Sequence, residues 1–310
     1  MHSHVHHPHA SEHHASAAGN GMGRAFAIGI ALNVVFALAE WVLGVTANSL
    51  ALVADATHNF SDVLGLLLAW GASVLARRPP SARFTYGLRG STILAALTNA
   101  MILLAATGGI AWEALRRLNS TGAVNEQLVI WVAALGVVVN TATALLFLAQ
   151  RKSDLNIRGA FLHMAADAGV SLGVVAAGIA MIYTGWTWLD PVISLMIVLV
   201  IFIGTWGMLR ESLQLALHAA PTSVDPAAVR RYLEELPGVT EVHDLHVWAM
   251  STTETALTAH LVMPGGHPGD AFFADAVHEI EEHFKIGHAT LQTEIGTPAH
   301  PCVLAPDRVV

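Results

Sequence analysis

The chain has 310 residues, of which 54% are hydrophobic and only 12% are charged. Soluble chains usually carry about a quarter charged residues, so the composition implies an integral membrane protein. The formal charge of −8 excludes a nucleic-acid binder, and one cysteine, Cys302, excludes a disulfide framework or a zinc site built mainly on thiolates.

The first fourteen residues hold seven histidines, His2, His4, His6, His7, His9, His13 and His14. This polar run lacks the apolar core of a signal peptide. It reads as a disordered, metal-capturing cytoplasmic tail over 1–23. Six apolar stretches follow, at about 24–45, 49–76, 90–115, 127–149, 159–183 and 189–209. Each is long enough to cross roughly 30 Å of hydrocarbon as a helix. Short polar or Gly/Pro-bearing breaks separate them. The second–third connection carries Arg77, Arg78, Arg83 and Arg89, and the fourth–fifth carries Arg151, Lys152 and Arg158. The opposite side offers only Arg116 and Arg117, so the basic connections and both termini are expected in the cytoplasm. The expected location is the cell (inner) membrane, surrounded by membrane lipid.

Beyond Leu213 the character changes. Residues 1–213 hold eleven basic and ten acidic side chains, whereas residues 214–310 hold four basic and thirteen acidic. Asp225-Pro226 opens a helix expected to end near Pro237-Gly238. Two β-rich runs, Thr240 to Met250 and Glu254 to Met263, follow. A helix from Asp270 to Lys285 and a strand from His288 to Ile295 complete the order α-β-β-α-β. The predicted fold is a polytopic α-helical membrane protein of six transmembrane helices with a C-terminal cytoplasmic α+β domain. The expected domains are 1–23 as tail, 24–213 in the membrane, 214–296 in the cytoplasm and 297–310 as a second tail.

Ionisable residues inside a span cost at least ~2.5 kcal/mol each and are functional candidates by default. The second span carries Asp55, His58 and Asp62 on one helix face, and the fifth carries His163 and Asp167. Two spans thus repeat the pattern H-x-x-x-D. Two residues one turn apart supply two ligands, and a facing helix supplies two more, which suits tetrahedral Zn²⁺. Two neutral imidazoles and two carboxylates cancel its double charge, whereas Mg²⁺ and Ca²⁺ prefer oxygen alone. A closed four-ligand site leaves no place for a reactive water and points to carriage. In the empty site the carboxylates repel until protons neutralise them, so metal leaving one way is expected to be coupled to protons entering the other. Asp55 is either an auxiliary position on the metal's access path or a helix-to-helix hydrogen bonder. Glu40, Asn33, Asn99 and Asn140 are expected to hold helices together by interhelical hydrogen bonds. In the tail domain His243, His246, His260, His288 and Glu294 fall on three strands of one sheet, either as a metal site or as polar residues on a solvated face.

These residues stand in recognisable runs: Asn48–Asp62 (NSLALVADATHNFSD), Arg83–Gly87 (RFTYG), His163–Asp167 (HMAAD), Gly238–Trp248 (GVTEVHDLHVW), Ala259-His260-Leu261 and Gly287–Glu294 (GHATLQTE). Together they resemble the cation diffusion facilitator family of divalent-metal transporters, bacterial type, over about residues 24 to 296. The resemblance implies a homodimer working by alternating access as a metal/proton antiporter. It implies a ferredoxin- or metallochaperone-like cytoplasmic domain that binds regulatory metal, and transport ligands His58, Asp62, His163 and Asp167. The two-histidine set resembles zinc-preferring members, with Zn²⁺ as substrate and regulatory ligand. Many members carry an acidic residue just after the basic one that opens the third span; here Arg89 is followed by Gly90 and Ser91. Other readings are the same family carrying Co²⁺, Ni²⁺, Cd²⁺ or Fe²⁺, a membrane metalloenzyme, or a metal sensor.

Overall fold

A computed structural model describes residues 18–118, 123–148, 155–297 and 301–305. The histidine run at 2–14, Arg151, Lys152, the Arg158 side chain and His300 lie outside the described residues. Six long helices come first: α1 (Ala18–Thr46), α2 (Leu50–Ala76), α3 (Ser91–Arg117), α4 (Glu126–Leu148), α5 (Leu155–Thr184) and α6 (Leu189–Ala216). Helices α2 to α6 are each long and apolar enough to cross a membrane, and α1 is apolar over Ala31–Thr46. Large apolar side chains such as Val35, Trp131 and Leu199 stand exposed on them, a surface suited to lipid rather than water. Helix α1 begins at Ala18, inside the stretch read as tail, because a helix need not stop where its apolar stretch does.

The chain forms two compact units, one of Met1–Val63 with Thr107–Leu199 and one of Leu64–Ala106 with Val200–Val310. In the first, α4 and α5 pack closely through small residues, as membrane helices do in the absence of a hydrophobic drive between them. A Cβ on Gly178 would come within 2.6 Å of Ile130, and one on Gly136 within 3.0 Å of Ser171 Oγ. Helix α1 packs on α4, where Asn33 Nδ2 donates to Thr143 Oγ1 at 3.5 Å and reaches Met164 Sδ at 3.7 Å.

In the second unit, Gly65 of α2 gives room to Asn99 of α3, whose Nδ2 would lie 2.9 Å from a Cβ there. The cytoplasmic-type elements are α7 (Pro226–Glu234), β1 (Glu241–Ala249), β2 (Thr255–Val262), α8 (Asp270–Phe284) and β3 (His288–Glu294). Asp225 caps α7 by accepting from Ala227 N at 2.9 Å, with Pro226 in the first turn where no amide donor is needed. Strand β1 pairs antiparallel with β2, and β3 lies parallel on the other side of β2 after the α8 crossover. The central strand is buried almost throughout, and Leu257 and Leu261 join Val229, Leu233, Ile280 and Ile286 in a core from which water is excluded.

The start of α3 docks on the β1–β2 turn of the same unit. Arg89 Nη1 donates to Glu254 Oε1 at 2.8 Å, and Thr252 N donates to Thr92 Oγ1 at 3.1 Å. The Tyr86 and His288 rings meet edge to face at 5.5 Å. Arg89, which has no acidic neighbour in sequence, takes its carboxylate from 165 residues away.

Candidate metal centre

Helix α2 presents His58 and Asp62 from successive turns, and α5 presents His163 and Asp167 in the same way. In this polar stretch Thr57 Oγ1 donates to Val53 O and Ser61 Oγ to Thr57 O, each one turn back, so both hydroxyls are satisfied within α2. The four side chains converge. His163 Nε2 lies 2.9 Å from Asp62 Oδ2, His58 Nε2 lies 3.8 Å from Asp62 Oδ2 and from Asp167 Oδ1, and His163 Nε2 lies 3.6 Å from Asp167 Oδ2. The imidazoles stand edge to face with centroids 5.6 Å apart. A tetrahedral ion with bonds of about 2.0–2.2 Å separates its ligand atoms by about 3.3–3.6 Å. All four of these contacts are within half an ångström of that edge, the shortest being a direct hydrogen bond between His163 and Asp62. His58, Asp62 and His163 each place one ligand atom within 4.8 Å of the others, whereas Asp167 meets His58 through Oδ1 and His163 through Oδ2 and must turn to offer one oxygen to a shared ion.

Burial is lopsided across this centre. Asp62 and His163 have side chains 38% and 39% exposed, whereas Asp167 is 5% exposed. Asp62 and His163 are the members nearer Ala76 at the end of α2 and Leu155 at the start of α5. Toward the other end, Asp55 is buried and accepts from Ser171 Oγ at 3.2 Å. Glu40 of α1 is buried too and accepts from Asn59 Nδ2 at 3.4 Å. The centre is thus open toward one end of α2 and α5 and sealed toward the other by packed carboxylates. Asp55 lies on the sealed side, beside rather than within the four-residue cluster.

Two asparagine expectations need correction. Asn33 and Glu40 bridge helices as expected, but Asn99 Oδ1 and both amide atoms of Asn140 are buried without a hydrogen-bond partner. Gly136 faces Ser171, and Asn33 reaches both Thr143 and Met164, so antiparallel packing of α4 and α5 sets Asn140 level with Asp167. Asp167 Oδ2 is likewise buried without a hydrogen bond. Sequence reasoning treats Asn140 as a helix tie, whereas the packing buries it without a partner at the level of Asp167. Its spacing from Gly136 on an α4 face rich in small residues is the signal that could have shown this.

The second cluster lies on the sheet. His243 of β1 and His260 of β2 are direct cross-strand partners, and Glu294 ends β3 on the same face. His260 Nδ1 lies 2.7 Å from Glu294 Oε1, and His243 Nε2 lies 3.5 Å from Glu294 Oε2. Cys302 joins them, with Sγ 3.6 Å from His260 Nδ1. One ligand atom from each of His243, His260, Glu294 and Cys302 fits within 4.8 Å of the others. Both ring nitrogens of the buried His243 lack a hydrogen bond. Burial pushes the Glu294 carboxyl upward, but hydrogen bonds to Cys302 and His260 and the nearby imidazoles outweigh it and hold the group below its usual range. The same carboxylate, by accepting from the thiol, pushes Cys302 upward.

His246 and His288 stay outside this cluster, a correction to the sequence expectation. The ladder slips between His243 and His246, where Asp244 adopts a left-handed φ of 49°. The bulge brings His246 opposite Thr258, onto the face of His243 and His260, but one pair further along the ladder, where it pairs with Asp244 Oδ1 at 2.9 Å instead of joining the four. His288 shares a face with Glu294 but stands six residues along β3, about 20 Å away at 3.3 Å per residue, and packs on Tyr86. Cys302 is the residue the sequence reading missed. A single thiol cannot build a thiolate site, yet it can complete a His/Glu set, and its place eight residues past Glu294 was the available hint.

Comparison with known proteins agrees with this architecture. The profile of the cation efflux transmembrane domain matches residues 26–215, and that of the cation efflux protein cytoplasmic domain matches residues 221–295. The zinc transporter ZitB of Escherichia coli (strain K12) is 35% identical over 301 residues, covering 96% of this chain and 94% of that protein. The metal cation efflux system protein CzcD of Cupriavidus metallidurans is 35% identical over 283 residues, covering 91% and 88%. The cadmium, cobalt and zinc/H(+)-K(+) antiporter of Bacillus subtilis is 31% identical over 270 residues, covering 86% of each. With both halves of the chain matched and the paired clusters in place, the chain belongs to the cation efflux family, the cation diffusion facilitators, which are multi-pass membrane transporters and not enzymes.

Proposed function

We propose that this transporter exports Zn²⁺ from the cytoplasm by alternating access, in exchange for protons, with His58, Asp62, His163 and Asp167 as the transport ligands. The observation that carries the reading is the convergence of these side chains from α2 and α5, with His58, Asp62 and His163 in one close set and Asp167 within 3.8 Å of both imidazoles. Two imidazoles and two carboxylates match the preference and the charge of a borderline-soft dication. The arginines of the α2–α3 connection favour that end in the cytoplasm, which makes the exposed side of the centre the cytoplasmic side and the conformation inward-open. Both termini are then cytoplasmic, with 24–213 as the membrane domain and 214–296 as the cytoplasmic domain. Protons replace the ion on the outward side, because neighbouring carboxylates left without a dication favour neutralisation. The name of the Bacillus subtilis relative, which joins metal to proton movement, supports the exchange.

The functional molecule in this reading is a homodimer, in line with its two-domain family pattern. The cytoplasmic domain holds a second, regulatory ion on His243, His260 and Glu294, with Cys302 as fourth ligand. The names of relatives also support Cd²⁺ and Co²⁺ as further cargo. Uptake into inverted vesicles across a panel of Zn²⁺, Cd²⁺, Co²⁺, Ni²⁺ and Fe²⁺ tests the proposal. Wild type is expected to accumulate Zn²⁺ faster when the interior is acid, and Asp167→Ala to lose uptake almost entirely at normal membrane insertion. Zinc uptake indifferent to an imposed pH gradient overturns the exchange, and full uptake by Asp167→Ala overturns the ligand set.

A further inference from the structure

Among the described residues, four carboxylates are buried in the helices: Glu40, Asp55, Asp167 and Asp190. Three lie at or beside the metal centre. Asp190 does not. It sits in the first turn of α6, 1% exposed, and its carboxylate faces the start of α2. There it accepts from Ser49 Oγ at 2.5 Å, Leu50 N at 2.8 Å and Ala51 N at 3.4 Å. Ser49 Oγ in turn accepts from Leu52 N at 3.3 Å. The first amide donors of α2, which no helix can satisfy for itself, are therefore met by one carboxylate and one hydroxyl. The negative charge also lies against the positive ends of two helices at once, α2 and its own α6. The preceding turn is tied down as well. Asn48 is left-handed at φ 55°, its carbonyl accepts from Arg117 Nη1 at 2.9 Å, and Ala47 O accepts from Asn125 N at 2.9 Å.

His58 and Asp62 lie eight and twelve residues beyond Leu50, about 12 and 18 Å along the axis. Asp190 is too far away to bind the transported ion, and a buried charge that touches no ligand acts through the helix it holds. We propose that Asp190 is a positioning residue for metal binding: by fixing the start of α2 against α6 it sets the depth and rotation at which His58 and Asp62 face His163 and Asp167. A helix is stiff over two or three turns, so a fixed first turn carries to both ligands. Sliding α2 by one residue turns each of them by about 100° and takes them off the cluster. Low-dielectric surroundings make the lock strict, because no water replaces a lost acceptor there.

The proposal rests on the reading of those four residues as ligands, and its test separates the two. Zinc uptake into inverted vesicles is measured for Asp190→Ala, Asp190→Asn, Ser49→Ala and Asp167→Asn, with KM and maximal rate resolved and rates normalised to inserted protein. Asp190→Ala is expected to raise KM tenfold or more. Asp190→Asn retains an acceptor oxygen and recovers most of that loss, and Ser49→Ala raises KM severalfold. A purely structural role would lower inserted protein or maximal rate while leaving KM unchanged, and that result overturns the proposal, as does wild-type behaviour. Should Asp190→Ala fail to insert, an unchanged KM in both Asp190→Asn and Ser49→Ala is equally decisive against it. Full uptake by Asp167→Asn would instead overturn the ligand reading, whatever the Asp190 variants do.

Discussion

Asn140 buries both amide atoms without a partner, a position that an apolar side chain of similar shape would fill at lower cost. Asn140→Leu is expected to stabilise the metal-free, solubilised protein by about 1–3 kcal/mol, the cost of one unsatisfied polar group, as read from thermal unfolding. Zinc uptake should fall in the same variant, because the carboxamide stands level with Asp167. Gain of stability with loss of transport is the signature of a polar group kept for work rather than for folding. Cys302 makes the matching case in the cytoplasmic domain. Cys302→Ser in the full chain, combined with Asp167→Asn to silence the membrane centre, should weaken zinc binding at least tenfold in competition against a chelator. The unfolding midpoint without metal should hardly change, since the thiol contributes little packing. The H-x-x-x-D pairs were legible because charge inside an apolar run is conspicuous. The fate of Asn99 and Asn140 was not, because a sequence names the polar group but not the partner it fails to meet.

At the scale of elements the apolar stretches foretold α2 to α5 to within a few residues, since roughly 20 residues of hydrocarbon-crossing helix leave little freedom. Helix α6 runs on to Ala216, beyond the predicted end at 209, because its last turns leave the apolar stretch without a breaker. The order of the cytoplasmic elements was equally plain from Asp225-Pro226 and the β-rich runs. The bulge in β1 was not. Strict alternation would put His243 and His246 on opposite faces, whereas the bulge at the left-handed Asp244 puts both on the face of His260. Single substitutions test this division. His288→Ala and His246→Ala should leave the number of zinc ions bound per chain unchanged by elemental analysis, whereas His260→Ala should lower it. Loss of an ion in His288→Ala would mean that β3 is read in the wrong register.

For the molecule as a whole, the chain's two matched halves meet in one unit through the α3 start and the β1–β2 turn. Arg89 and Glu254 are each about two-fifths exposed, at 39% and 43%, so their ion pair is a modest clasp. A double-mutant cycle with Arg89→Glu and Glu254→Arg should give a coupling of about 0.2–1 kcal/mol that fades in high salt. The charge-swapped double variant should recover the zinc uptake that either single change impairs. Nothing in the sequence near Arg89 pointed to Glu254, because tertiary pairing across so long a separation leaves no local pattern. The balance of Asp62 and Asp167 against a dication has a further result for energetics. With both imidazoles uncharged, a loaded carrier bears no excess charge at its centre, so transmembrane voltage does no work on the outward stroke. Voltage can act only on the return, by about 2.3 kcal/mol per 100 mV for each uncompensated charge. In the proposed exchange, the number of protons riding back therefore decides whether export draws on the electrical gradient or on acidity alone.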